Sequence, residues 1–103
     1  MADTCRSSGV LVASAVVAAH QCRLKSLHLT GFAGASDVIT VQIYDSKDST
    51  LTNNTELVRI IFDGMSGTLN LEYDMHGVLC NTGLFLEVAE AGSSTVNVSI
   101  EFA

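Results

Sequence analysis

The sequence has no proline and no tryptophan, and only 5 of its 103 residues are lysine or arginine. Each shortage narrows the reading. Without proline, strand edges lose one of the usual guards against pairing with another chain. Without tryptophan, and with only Tyr44 and Tyr73 as tyrosines, the chain is poorly equipped to stack sugars on exposed rings. Eleven carboxylates against five cations give a net charge of −6. Such a surface repels a phosphate backbone, which is normally gripped by clustered Lys and Arg, so no nucleic-acid partner is expected. No apolar run approaches the roughly 20 residues that a membrane helix needs, and no membrane partner is expected either. The Val/Ala-rich run at 10–19 follows a polar start holding Asp3 as well as Arg6; it lacks the positive opening of a secretory signal. Cys5, Cys22 and Cys80 are odd in number, so no disulfide framework pairs them all, and assembly in a reducing compartment fits.

What remains is the composition of a folded domain. Hydrophobic residues make up 48% and charged residues 16%, and a chain of this size buries roughly two-thirds of its unfolded surface. A flexible N-terminal arm over residues 1–9 and one domain over 10–103 are expected. Charge is placed unevenly: residues 1–36 hold Arg6, Arg23 and Lys25 against Asp3, while no Lys or Arg follows Arg59. A basic early part and an acidic late part can attract one another across copies, or simply solvate one chain.

Alternation of apolar and polar residues every second position marks the strands. Residues 9–19 read as a strand buried on both faces, with a docking arm as the alternative. In residues 22–30, Arg23 and Lys25 share a parity with Leu27 and Leu29, so charge and apolar character change sides, which predicts a bulge or bend near Ser26. Residues 31–36 read as a turn. Ile39, Val41 and Ile43 then face in, with Thr40, Gln42 and Tyr44 facing out. Residues 45–55 form the longest polar stretch, a loop of the sort that often makes contacts. Val58, Ile60 and Phe62, then Leu69, Leu71 and Tyr73, predict a hairpin turned at residues 64–67. Residues 77–88 read as a second hairpin about Asn81, Thr82 and Gly83, with Leu84, Leu86 and Val88 on one face and Phe85 and Glu87 on the other. Val96, Val98, Ile100 and Phe102 form the inner face of a last strand. About eight short strands with no sustained helical period predict an all-β, compact antiparallel β-sandwich of jelly-roll type. An immunoglobulin-type sandwich lacks its Trp and its cysteine pair.

Chemical signatures are sparse. His20 with Cys22, and His76 with Cys80, suggest a metal, but two residues along a strand span about 6.6 Å, which is too wide for a tight chelate. Packed, inert cysteines are the simpler reading. Nothing places Cys22 or Cys80 beside an oriented base, and Glu72 and Asp74 form no recognisable acid–base pair. Asp45 and Asp48 flank Lys47 without the spacing of a dedicated calcium loop. The triplets Asn53-Asn54-Thr55 and Asn97-Val98-Ser99 match the glycosylation rule, which matters only in a eukaryotic secreted protein. No catalytic, cofactor or metal residue is therefore assigned. The residues best suited to touching a partner are Arg6 in the arm, Leu51 in the long loop, and Phe32, Met65 and Phe85. The last three are apolar groups in turns or on an outward parity.

Four segments carry a resemblance: Cys-Arg-Leu-Lys-Ser-Leu at 22–27, Ile-Thr-Val-Gln-Ile-Tyr-Asp at 39–45, Gly-Val-Leu-Cys-Asn-Thr-Gly-Leu-Phe-Leu-Glu-Val at 77–88, and the closing strand at 95–102. Together, over residues 20–102, they resemble small structural proteins of tailed bacteriophages, marine phages especially. The resemblance implies a non-enzymatic virion component assembled in the host cytoplasm, above all a capsid decoration or cement protein. Its partners would be the major capsid protein or another virion protein, and further copies of itself in a homo-oligomer. A tail, fibre or head–tail adaptor component is the alternative, with a secreted binding module as a third.

Overall fold

The computed structural model describes residues 5–33, 38–50, 52, 54–63, 67–89 and 95–103. Eight strands follow one another: β1 (Arg6–Leu11), β2 (Ala15–Ala18), β3 (Cys22–Ala33), β4 (Val38–Asp45), β5 (Thr55–Asp63), β6 (Gly67–Cys80), β7 (Leu84–Ala89) and β8 (Thr95–Phe102). They form two four-stranded sheets, ordered β1-β8-β3-β6 and β2-β7-β4-β5.

The pairing explains the order. β1 pairs with β8, β2 with β7, β3 with β6 and β4 with β5, all antiparallel. This is one long ribbon doubled back between β4 and β5. Rolling it up brings β3 against β8 and β4 against β7, which is the winding of a jelly roll. The predicted sandwich is thus the observed fold.

The driving force is burial of one apolar face per strand between the sheets. Leu24, Leu27 and Leu29 of β3, Ile39, Val41 and Ile43 of β4, Leu84 and Leu86 of β7, and Val96, Val98 and Ile100 of β8 are buried in one core. The change of parity in β3 is resolved as expected. The register of β3 shifts between Leu24 and Ser26 against both neighbours, so Leu24 and Leu27 both reach the core. Opposite the shift, Leu24 pairs with Val78 and Ser26 with Asp74. Residues 75–77 of β6 therefore bulge, with positive φ at His76 and Gly77.

Three expectations fail on connectivity. β5 lies in the second sheet and β6 in the first, so residues 56–73 are no hairpin. Residues 77–88 are no hairpin either, because β6 pairs with β3 and β7 with β2 and β4; the turn at 81–83 carries the chain from one sheet to the other. Residues 9–19 are not one strand but the end of β1 and all of β2, in different sheets. Other boundaries move too. Residues 6–9, expected in a flexible arm, already belong to β1, and residues 31–33 of the turn expected at 31–36 belong to β3, while 34–36 lie outside the described residues. Tyr73, expected inward, pairs with buried Leu27 but is 39% exposed, because β6 is an edge strand.

The 81–83 corner is held by Asp45, the last residue of β4. One carboxylate oxygen accepts from Asn81 N–H at 2.9 Å; the other accepts from Thr82 N–H at 2.9 Å and from the Thr82 hydroxyl at 3.0 Å. Gly83 N–H adds a longer contact of 3.4 Å. Burial pushes the Asp45 carboxyl up, but the N–H groups of Thr82 and Asn81 with the Thr82 hydroxyl outweigh it and leave it below its usual value. Gly83 matters through space rather than through φ. A Cβ there would lie 2.6 Å from the Ala18 carbonyl oxygen, 2.8 Å from Lys47 Cα and 2.8 Å from the Ser46 carbonyl oxygen. Beyond it, Ser46 is buried with its hydroxyl 2.8 Å from Asp48 O and 3.0 Å from Thr50 O, which ties down the start of the polar loop.

Gly83→Ala is expected to cost about 3 kcal/mol, because every near atom is backbone, read as a lower midpoint in urea unfolding. Asp45→Ala should cost about 2 kcal/mol at neutral pH. The Asp45 pKa is lowered in the folded state, so its contribution is complete above the usual value of 3.8 and is lost as pH falls below it. Wild type and Asp45→Ala should therefore converge in stability in strong acid, as followed by thermal melts across pH.

Candidate functional site

Sheet closure leaves four edges: β1 and β6 in the first sheet, β2 and β5 in the second. An edge offers unpaired backbone to other chains unless charge, twist or a bulge intervenes. β5 carries Glu56 and Arg59, joined as an ion pair at 3.0 Å. Gln42 donates to Glu56 and to Tyr44 Oη on the same outer face. Arg59, foremost, and Gln42 hold the Glu56 carboxyl below its ordinary range. β6 carries Glu72, Asp74 and the bulge, where Asp74 accepts from His76 N–H at 2.9 Å and faces the His76 ring at 3.6 Å. Both edges are guarded.

The β1–β2 side is different. From Ser7 to Cys22 the chain contains no Asp, Glu, Lys or Arg. Three residues link the two edge strands, so Leu11 and Ala15 lie within about 14 Å and both edges share one side of the sandwich. Leu11 and Val17 pack against the core, which turns Val10, Val12 and Val16 outward at 70%, 61% and 47% exposure. The backbone is kept in place by serines. Ser8 Oγ accepts from Ile100 N–H at 2.9 Å beside a bulge where Gly9 has φ 73°, and Ser14 Oγ accepts from Val88 N–H at 2.8 Å. Arg6 at the start of β1, this bulge and a register shift in β2 between Val16 and Ala18 are the guards on this side.

The residues picked from sequence fare unequally. Arg6 is exposed at the start of β1, opposite Phe102. Phe85 is buried at 5% exposure, contrary to expectation. Its strand is interior to the sheet, and Val16 and Tyr44 flank it in register on either side, so an outward parity does not expose it. Phe32 has its backbone in β3, but its side chain lies outside the described part, as do Leu51 and Met65 altogether. The exposed valines were missed because 9–19 looked like a strand buried on both faces. The available signal was the unbroken absence of charge, which a free edge shows as well as a buried strand.

An open groove of about 650 Å³ lies beside the β3–β6 bulge and is lined by Lys25, Ser26, Glu72, Tyr73, Asp74, His76 and Glu101. Two of its three carboxylates are engaged locally: Ser26 donates to Glu101 at 2.6 Å, and Asp74 holds the bulge. Of the metal and nucleophile candidates, His20 contacts the Gln21 carbonyl, His76 turns to Asp74, and Cys22 and Cys80 meet as register partners. Among the described residues, no group of three or more His, Cys, Asp or Glu is arranged to hold a metal. Asp45 and Asp48, the calcium candidates, point apart in role: Asp45 binds the corner, and Asp48 accepts from Thr50 N–H at 2.9 Å.

No protein-family model matches the chain, and no curated protein and no solved structure is significantly similar to it.

Val10→Lys and Val16→Lys should each change stability by no more than about 0.5 kcal/mol, as exposed sites do, whereas Leu86→Ala in the core should cost about 2–5 kcal/mol. Urea midpoints of the three variants check this contrast, and a large loss at Val10 or Val16 would mean that the edge serves the fold itself.

Proposed function

We propose that this jelly roll is a non-enzymatic structural protein of a virion, a capsid decoration or cement protein that grips the shell through its β1–β2 side. The observation that carries the reading is the stretch free of charge from Ser7 to Cys22, which covers both edges beyond Arg6, with Val10, Val12 and Val16 exposed, on a molecule whose other two edges carry charge along their length. Small sandwiches exclude neighbours with charge; one side left apolar and free of charge marks where a neighbour belongs. The jelly roll recurs in viral capsid and lectin domains, and the resemblance to small phage structural proteins points to the former. Fold alone decides nothing about function, so the edge is the argument.

The mechanism is mechanical. Many copies bind across shell subunit boundaries and favour the assembled particle by mass action, with no turnover. Main-chain pairing along β1 or β2 would supply register, and the valines would supply apolar contact. The net charge of −6 keeps free copies apart in solution, so association depends on that edge.

Quantitative mass spectrometry of purified virions should find the polypeptide in a ratio near that of the major shell subunit. A ratio far below it would assign the protein to the tail, fibre or adaptor, and complete absence would discard the virion reading. The Val12→Lys/Val16→Lys double variant should fold normally yet fail to co-sediment with particles that bind the wild type.

A further inference from the structure

We propose that Cys22 and Cys80 form a dithiol–disulfide modification site, closed by exchange with a small disulfide such as glutathione disulfide. Cys22 opens β3, Cys80 closes β6, and the two are direct partners in the antiparallel register. Residues so placed have Cα atoms about 4.5–5.5 Å apart, inside the window of about 4.4–6.8 Å that a disulfide spans. The Cys80 thiol lies 3.7 Å from the Val78 carbonyl oxygen, within its own strand. Two sulfurs fall short of a metal's demand, and among the described residues no third ligand joins them. Bond formation therefore needs no strand to move.

Access is one-sided. Cys80 is fully buried, whereas Cys22, though only 5% exposed, lines a surface groove with Gln21, Arg23 and Leu79. Exchange begins when the Cys22 thiolate attacks one sulfur of glutathione disulfide, forming a mixed disulfide and releasing one glutathione thiolate. Cys80, having lost its proton to solvent, then attacks the Cys22 sulfur and expels the second glutathione. Two electrons pass from the cysteine pair to the glutathione disulfide, which leaves as two thiols. Burial, foremost, together with the neighbouring Cys22 pushes the Cys80 thiol up to about 12, which makes the second step slow at neutral pH and faster in alkali.

The closed bond would tie two of the crossings between the sheets, since residues 19–21 lead from β2 into Cys22 and residues 81–83 lead from Cys80 to β7. A protein assembled under reducing conditions and released into oxidising ones would gain this staple after assembly. Cys5 is exposed and remains the odd thiol.

The test uses the full chain carrying Cys5→Ser, incubated with glutathione disulfide at mildly alkaline pH. Intact mass should fall by two hydrogens, a peptide map should join the Cys22 and Cys80 peptides, and Tm should rise by about 10 °C or more. A persistent single-glutathione adduct would overturn the proposal, as would two thiols that remain free for alkylation after unfolding. The unsubstituted chain, given the same treatment and mapped the same way, should show the same link; a bridge to Cys5 in its place would also overturn it.

Discussion

One carboxylate fixes the point where the rolled ribbon changes sheet. β7 must enter between β2 and β4, and it enters directly after residues 81–83. The corner leaves backbone N–H groups facing away from either sheet, and each would cost free energy if left without an acceptor. Asp45, at the end of the strand that β7 will join, takes Asn81 and Thr82 in bonds of 2.9 Å. Because Tyr44 pairs with Phe85, the clamp and the first rung of the β4–β7 pairing are neighbours. Correct closure of the corner therefore sets the register that places Leu84 and Leu86 in the core.

Strands and their inward residues were legible in the sequence because alternation is a local property. Ile39, Val41 and Ile43 in β4, and Val96, Val98 and Ile100 in β8, are buried as their spacing implied. The bulge near Ser26 was legible for the same reason, since a strand cannot present Leu24 and Leu27 to one face without an extra residue. Partners were another matter. A glycine-rich turn says that the chain reverses, and not whether it returns to the same sheet or crosses to the facing one. Residues 64–67 and 81–83 both looked like hairpin turns, and the strands they join never pair. Only the closed topology decides this, through the two wrapping contacts of β3 with β8 and β4 with β7.

The candidate surface was less legible than the fold because exposure depends on strand order. Phe85 has the outward parity, but both of its neighbours are strands, so it is covered. Val10, Val12 and Val16 sit in a run that suggests burial, yet two edges meet there. A sequence reader sees hydrophobicity and parity; which strand is an edge is a global fact. What composition did foreshadow is the means of guarding. With no proline available, the chain protects its edges with charge and bulges, and charge is present on β5 and β6 and missing from Ser7 to Cys22.

These features converge at one end of the molecule. Gly83 lies so close to the Ala18 carbonyl that no side chain fits between them, and Ala18 is the last residue of β2. The corner that Asp45 clamps thus also abuts the end of the exposed edge strand. Cys22 begins β3 only four residues after Ala18, and its partner Cys80 immediately precedes the corner. A binding edge gains affinity when its backbone is held in the bound geometry beforehand, since less ordering remains to be done on association. β2 is four residues long, too short to hold itself straight. Its rigidity must be borrowed, and the contacts at Gly83 and the pairing with β7 are what lend it. The apolar side and the Asp45 clamp are therefore coupled, since the corner that the clamp closes fixes the shape of the strand at that edge.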